Sequence, residues 1–207
     1  MVNPTKLLAE IGGQARKTVE DQLFTHARSF GSWREEPVNA SLLRQLVSLA
    51  QWGPTSMNSQ PARYQFAISR ESRERLSRCV DQGNVSKVLA APVVAIIGMD
   101  MNFSKTLAQL FPQKSDAHLY YDKDPEKTHT TALRNSSLQG AYLIMAARLM
   151  GLDCGPMSGF NQQSVDQEFW AGTSVRTNFL CCIGHGDRAG LKPRGPRMTF
   201  DEIARVI

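Results

Sequence analysis

The chain has 207 residues and a net charge of +5, from 24 lysines and arginines against 19 aspartates and glutamates. This length suits one sizeable domain, which buries enough surface to need no disulfide or metal staple. The mild positive charge argues against a dedicated nucleic-acid binder and favours small anionic ligands. The longest apolar run, residues 90–99, is too short to span a membrane, and no signal-peptide pattern opens the chain, so we expect a cytoplasmic protein.

The first part of the chain is predicted to be helical and then irregular. Residues 1–18 are weakly periodic and are predicted to form an N-terminal arm, with residues 19–207 as a single domain. Apolar spacing predicts a helix over 19–28, and Asn39 is predicted to cap a second helix that carries a leucine stripe. A glycine and two prolines within residues 53–61 predict a loop.

The middle of the chain is predicted to contain two strands and two helices. Alternation predicts a strand over 64–69, a charged surface helix over 71–80 and a buried strand over 92–99. The polar segment 111–127 has little periodicity and is predicted to be a mobile insertion. A long helix is predicted over 130–150, and its apolar stripe is expected to be buried at the centre of the fold; the stripe comprises Leu138, Ala141, Tyr142, Met145 and Leu149.

The last part of the chain contains one more helix, one strand and a basic tail. The patterns predict a helix over 163–170, a strand over 178–183 and an irregular basic segment over 184–197. Thr199 and Glu202 have the spacing of a capping box before a short final helix. Because helices outnumber strands and do not alternate cleanly with them, the sequence favours the α+β class.

Cysteine and histidine spacing predicts neither a disulfide framework nor a metal site. The four cysteines fit no C-x-x-C spacing, and Cys181 and Cys182 are adjacent, so they point to opposite faces of a strand. We therefore expect buried, reduced thiols. The four histidines are scattered without a zinc-binding spacing, so no metal is expected.

Two motifs resemble known sites but lack the context that those sites require. Residues 184–189 match G-x-G-x-x-A after a strand, but no helix or βαβ unit follows, which disfavours a dinucleotide fold. Residues 155–159 carry a serine between glycines at a spacing that does not match a nucleophile elbow, which disfavours a serine hydrolase.

Four ordered segments carry a family resemblance. They are residues 27–38, 54–61, 151–160 and 183–197, and in this order and spacing they resemble the FMN-dependent nitroreductase family over most of the chain. The match is closest to the HadB/RutE branch, which is associated with malonic semialdehyde reductase of pyrimidine breakdown. The resemblance implies a nitroreductase-like α+β fold, with a central, mostly antiparallel sheet flanked by helices. It also implies a homodimer with FMN at the interface, contacted by both chains.

The resemblance assigns cofactor contacts to three groups of residues. The FMN phosphate favours guanidinium groups, and the matching positions are Arg28, Ser29, Arg194 and Arg197. The ring edge needs donors and acceptors, and the positions that match the family's P-S-x-N-x-Q segment are Ser56, Asn58 and Gln60. The strip that passes N5 of the flavin matches Pro156, Met157, Ser158 and Gly159, where a glycine permits close approach of the backbone.

Two departures from the family pattern bear on the cofactor and the substrate. Gly31 stands where the family usually has a second arginine or lysine, which removes one expected cofactor contact. Ala62 and Arg63 stand where many members have an aromatic residue. A carboxylated substrate needs a fixed cation, so we hypothesise that Arg63 or Arg134 binds it.

The activity implied is a two-step exchange in which NADH or NADPH gives hydride to FMN and a small electrophile then accepts it. Reduction of malonic semialdehyde to 3-hydroxypropionate is the favoured reaction, and a broad nitro- or quinone reductase is the alternative. No protein acid or base is required, and neither nucleic acid nor a membrane is expected as a partner. Outside the enzyme class, a basic cluster leaves open a nucleotide- or nucleic-acid-binding module; it comprises Arg70, Arg73, Arg75 and Arg78.

Overall fold

The computed structural model describes residues 13–207 and shows a helix–sheet–helix sandwich. The first twelve residues of the predicted N-terminal arm lie outside the described residues, and residues 13–18 belong to the first helix. The helices are α1 (Gly13–Glu20), α2 (Ala40–Ala50), α3 (Arg70–Ser77), α4 (Gln82–Ala90), α5 (Leu107–Leu110), α6 (Pro125–Leu149), α7 (Gln162–Phe169) and α8 (Phe200–Ile203). The strands are β1 (Ala62–Ala67), β2 (Val93–Asp100), β3 (Asp153–Met157) and β4 (Val175–Gly184).

The four strands form one antiparallel sheet in the order β1-β2-β4-β3. β2 and β4 lie in the middle, and β2 is buried along almost its whole length, as expected when helices cover both faces. The α+β class and the mostly antiparallel sheet expected from the sequence are confirmed. In this order, β1 and β3 lie at opposite edges of the sheet.

Two hydrophobic cores fill the spaces between the sheet and its helices. On one face α2 and α6 pack on the sheet, where Leu46 and Leu143 are fully buried against Ile97. On the other face α3, α4 and α7 do the same, with Leu76 and Val88 fully buried. Alternating strand residues supply both cores, which follows from the two-residue period of a strand.

The local signals at helix ends are satisfied as the sequence predicts. The side chain of Asn39 accepts the N–H of Leu42 at the start of α2. Thr199 and Glu202 form the capping box of α8. The predicted helix over 19–28 is wrong at its C-terminal end, because α1 passes into a single π-helical turn, Asp21–Thr25, and no helix continues over residues 26–28.

The segment 111–127 is packed and is not a loose insertion. It forms short 3-10 turns, and α6 already begins at Pro125, with Asp124 as its N-cap. Tyr121 packs edge-on against Phe103, with ring centroids 4.9 Å apart, and both side chains are buried in a third hydrophobic cluster. Periodicity missed this packing because the buried residues are spread over several short turns.

The face of α6 that packs on the sheet is not the predicted one. Leu138 and Tyr142 are each 43% exposed and Leu149 is 52% exposed, whereas the buried face carries small and amide side chains. Gly140 lies so close to Phe179 that an added Cβ would be 2.4 Å from the ring, so the helix approaches the sheet through a small residue. The apolar stripe of α6 therefore faces outward in the isolated chain.

The four cysteines are free and buried, as expected. Burial raises the pKa of Cys182 to about 12, from an ordinary value of 9.0. Residues 13–207 contain no helix long and apolar enough to cross a membrane.

Candidate functional site

Four arginines converge on an open pocket of about 470 Å³. We call it the arginine pocket, and its lining comprises Phe24, Ala27, Arg28, Ser29, Arg148, Arg194, Gly195 and Arg197. None of its described lining residues is acidic. Within the described residues, none of the four guanidinium groups forms an ion pair with a carboxylate. Such a concentration of unneutralised positive charge is suited to an anion.

Backbone carbonyls hold these arginines in place. Arg194 donates to the carbonyls of Thr25 and Ala27, both at 2.7 Å, and Arg28 donates to the carbonyl of Lys192 at 2.6 Å. These reciprocal bonds brace the segment before Ser29 against the basic tail. A guanidinium carries five N–H donors, so donors remain for a ligand. The structure thus brings together all four predicted phosphate residues.

The arginine pocket adjoins β3 at the edge of the sheet. Ser29 pairs with Cys154 in a parallel bridge, and the N–H of Phe30 donates to the carbonyl of Cys154 at 3.0 Å. Gly155 permits this close approach, since an added Cβ would lie 2.1 Å from the carbonyl oxygen of Phe30. Pro156 and Met157 are the last two residues of β3, and Ser158 and Gly159 follow it directly, so the predicted strip begins in the strand beside the phosphate motif.

The four residues of this strip differ in exposure. Pro156 and Ser158 are exposed, and Met157 packs partly into the core on the α3 and α4 side. The carbonyl of Gly159 accepts the N–H of Asp81 at 3.0 Å and the side-chain amide of Asn84 at 2.9 Å. The N–H of Gly159 donates to no acceptor among residues 13–207.

Two residues of α4 belong to this site and were missed from the sequence. Lys87 donates to the side-chain oxygen of Asn84 at 2.9 Å, and the aliphatic part of Lys87 lies 3.5–3.7 Å from the position of a Cβ on Gly31. Lys87 thus places a cation beside the position where the family's usual second cation is missing. The spacing of Asn84 and Lys87, three residues apart on a helix, was the signal available in the sequence.

Arg148 was also missed. It is the only charged residue between Ala141 and Met150, in the last turn of α6. It donates to the carbonyl of Leu23 at 2.9 Å, and its Nε is buried without a hydrogen-bond partner among residues 13–207.

The loop that contains Ser56, Asn58 and Gln60 has a strained backbone. Met57, Asn58 and Gln60 have φ values of 52°, 48° and 41°, in the left-handed region that residues other than glycine seldom adopt. Asn58 donates to the carbonyl of Leu110 at 2.9 Å and accepts from the side chain of Gln60 at 2.9 Å. Strain held by such specific contacts is typical of functional loops.

Two amides of α6 hold this loop at both ends. Asn135 accepts the N–H of Ser56 at 2.8 Å, and Gln139 accepts the N–H of Ala62 at 2.8 Å. Both amide side chains are buried, at 2% and 4% exposure. The buried face of α6 therefore carries two amide side chains that fix the loop.

The loop and the arginine pocket lie apart within one chain. The loop leads into β1, and the arginine pocket adjoins β3, so three strand spacings, about 14 Å, separate the two edges. Along α6, Asn135 and Arg148 are 13 residues apart, or about 20 Å. The structure does not bring Ser56, Asn58 and Gln60 to the predicted phosphate residues of the same chain.

The two candidate substrate cations have different surroundings. Arg63 forms an ion pair with Asp100 at 2.8 Å and donates to the carbonyls of Gln60 and Ala62, so its guanidinium is largely engaged. Arg134 is exposed on α6, next to Asn135. The residues that the structure describes contain no cluster of side chains able to hold a metal ion.

Comparison with known proteins identifies the family. The Nitroreductase family matches residues 27–185. The chain belongs to the nitroreductase family. This membership confirms the enzyme class expected from the sequence, an oxidoreductase.

Relatives of this nitroreductase-family chain span nearly its whole length. A protein of Stenotrophomonas maltophilia named as an NADH dehydrogenase/NAD(P)H nitroreductase is 52% identical over 90% of this chain and 94% of its own. One of Burkholderia lata with the same type of name is 52% identical over 90% of this chain and 95% of its own.

Solved structures show the same fold at low sequence identity. A nitroreductase of Bacillus subtilis has a TM-score of 0.83 at 20% identity, covering 94% of this chain and all of the other. A nitroreductase of Exiguobacterium sibiricum, solved in complex with FMN, has a TM-score of 0.80 at 20% identity, covering 90% of this chain and 96% of the other.

Proposed function

We propose that this chain is an FMN-dependent oxidoreductase that takes its reducing equivalents from NADH or NADPH. The observation that carries this proposal is the arginine pocket beside the Pro156–Gly159 strip. The pocket offers guanidinium groups to a phosphate, and the strip offers an unpartnered N–H to a ring edge. The names of the Stenotrophomonas and Burkholderia relatives and the FMN-bound Exiguobacterium structure support the same cofactors.

The residues present fit FMN in chemical terms. Arg28, Ser29, Arg194 and Arg197 would hold the phosphate, and Lys87 and Asn84 reinforce the strip that would face the ring. FMN, when bound, supplies the hydride chemistry. The residues of this chain bind and orient it, and the close backbone approach at Gly159 needs the absence of a side chain.

The proposed enzyme is a homodimer in which a second copy completes each site. The outward-facing stripe of α6 is apolar and is expected to be covered by another protein surface. The loop with Ser56, Asn58 and Gln60 leads into β1, at the opposite edge of the sheet from the arginine pocket of its own chain. A two-fold arrangement would bring that loop to the partner's arginine pocket, which accounts for cofactor motifs in two separate places.

The proposed substrate is malonic semialdehyde, in keeping with the resemblance to the HadB/RutE branch. Its carboxylate needs a cation, and Arg134 suits this role better than Arg63, because Arg63 is paired with Asp100. A broad nitro- or quinone reductase is the second candidate, favoured by the names of the relatives.

The basic cluster of α3 gives little support to a nucleic-acid-binding module. Arg70 pairs with Glu74 at 2.7 Å, Arg75 pairs with Glu168 at 2.5 Å, and Arg73 donates to the carbonyls of Leu89 and Ala91. These contacts neutralise or occupy the charges that a phosphate backbone would need.

An activity panel with FMN-loaded protein tests the proposal. Malonic semialdehyde, a quinone and a nitroaromatic compound are each assayed with NADH and NADPH. We expect Arg134→Ala to lower kcat/KM for the semialdehyde by about tenfold or more, the loss of one charge-assisted contact, and to leave quinone reduction unchanged. Arg63→Ala serves as the comparison. Equal losses on both substrates would contradict the assignment of Arg134, and no turnover of the semialdehyde by wild type would favour the broad reductase.

A further inference from the structure

Among the described residues that line the arginine pocket, Arg148 is the one arginine that does not come from the two basic segments near the chain ends. It reaches the arginine pocket from the last turn of α6, and one edge of its guanidinium donates to the carbonyl of Leu23. Its Nε is buried and has no hydrogen-bond partner among the described residues. A guanidinium carries five N–H donors, and the bond to Leu23 uses only one of the terminal nitrogens. Because Arg148 lines the open pocket, the donors left on its terminal nitrogens are the ones that an anion in the pocket could use.

We propose that Arg148 is a further phosphate-binding residue, which recognises the phosphomonoester of the flavin nucleotide from the C-terminal turn of α6. The inference rests on the proposed FMN-dependent function. The position is physically favourable, because a cation at a helix C-terminus is stabilised by the helix dipole. In the part of the chain that the structure describes, no carboxylate lines the pocket to compete for the guanidinium.

The assignment also accounts for the missing cation at Gly31. The sequence lacks the second basic residue of the early motif, and the structure supplies cations to the site from helices instead. Lys87 lies beside Gly31, and Arg148 lies in the arginine pocket itself. The phosphate would thus be recognised by guanidinium groups from three separate parts of the chain, which makes its binding sensitive to how α6 is docked.

Comparison of FMN with riboflavin, which lacks the phosphate, tests the proposal directly. Dissociation constants for both flavins are measured by flavin fluorescence for wild type, Arg148→Met and Arg148→Lys. Methionine keeps most of the apolar stem while removing the charge. We expect Arg148→Met to weaken FMN binding about 10- to 100-fold, as for one charged hydrogen-bonded contact, with riboflavin binding unchanged. Lysine should restore part of the FMN affinity, since it keeps the charge but loses the planar fork.

Gln22→Leu separates phosphate binding from a merely structural role. Gln22 donates to the carbonyls of Arg148 and Leu149, so its loss loosens the same junction without removing a charge. We expect this variant to keep the wild-type ratio of FMN to riboflavin affinity. Equal weakening of both flavins by Arg148→Met, or no effect on either, overturns the role of Arg148. A wild-type chain that binds neither flavin overturns the proposed function, and the role of Arg148 with it.

Discussion

Asn84 contacts Gly159, and Gly83 precedes Asn84 in the chain. Alanine substitutions at the two glycines therefore form a matched test of this contact. An alanine Cβ at position 159 would lie 2.6 Å from the amide nitrogen of Asn84 and 2.8 Å from a carboxylate oxygen of Asp81. Asn84 must then move away and lose its bond to the carbonyl of Gly159. We expect Gly159→Ala to raise the FMN dissociation constant roughly three- to tenfold, the equivalent of one neutral hydrogen bond, in a fluorescence titration.

Gly83→Ala is the control, because among the described residues no heavy atom beyond its chain neighbours and its own helix backbone lies within 4 Å of its added Cβ. Gly83 lies in the first turn of α4, where alanine is the better helix former by up to about 1 kcal/mol. Its FMN affinity should match that of wild type. An effect of Gly83→Ala as large as that of Gly159→Ala would mean that α4 as a whole, and not the Gly159 contact, determines binding.

At the scale of elements, α6 acts as a support for the strained loop. Gln139 is buried and accepts the N–H of Ala62, which would be left without an acceptor in Gln139→Leu. We expect this variant to lose about 1–3 kcal/mol of unfolding free energy in urea denaturation, the penalty of a buried unpaired donor. The same substitution at Gln163, which is exposed on α7, should change stability by less than about 0.5 kcal/mol. Equal losses would contradict a supporting role for Gln139.

The sequence predicted helix ends well where the capping residues and their partners are close together in the chain. Asn39, Thr199 and Glu202 act as caps through contacts within a few residues, so their effect can be read from sequence. The buried face of α6 could not be predicted, since a hydrophobic stripe at helical spacing indicates only that something covers it. Asn135 and Gln139 were not predicted to be buried, because the backbone N–H groups that satisfy their amides belong to residues far away in sequence.

At the scale of the whole molecule, the outward stripe of α6 predicts the oligomeric state. Leu138 is 43% exposed on that stripe, and Leu89 on α4 is 42% exposed, so the two leucines allow a matched substitution. We expect Leu138→Glu to shift the chain from dimer to monomer in sedimentation velocity and to lower FMN affinity, because each site would lose the partner's loop. Leu89→Glu should remain dimeric. A monomeric wild type would contradict the proposed arrangement.

The candidate site was predictable in its parts but not in its assembly. The arginines near both chain ends were found because phosphate chemistry restricts the residue types. Their convergence depends on bonds such as that from Arg194 to Ala27, which join residues far apart in sequence. Arg148 was missed because a single cation on a helix has no local signature, and the spacing of Asn84 and Lys87 indicates only that they share a helix face. Only the three-dimensional structure places Lys87 beside Gly31 and Arg148 beside the phosphate residues.

The length of α6 has a consequence for which insertions and deletions this chain can tolerate. Asn135 supports the loop near one end of the helix, and Arg148 enters the arginine pocket at the other. One residue inserted between them would rotate one end against the other by about 100° and shift it by about 1.5 Å, so both contacts could not be kept. Insertions and deletions should therefore be tolerated in the turns that precede Pro125, whereas the 13-residue interval between Asn135 and Arg148 should keep its length.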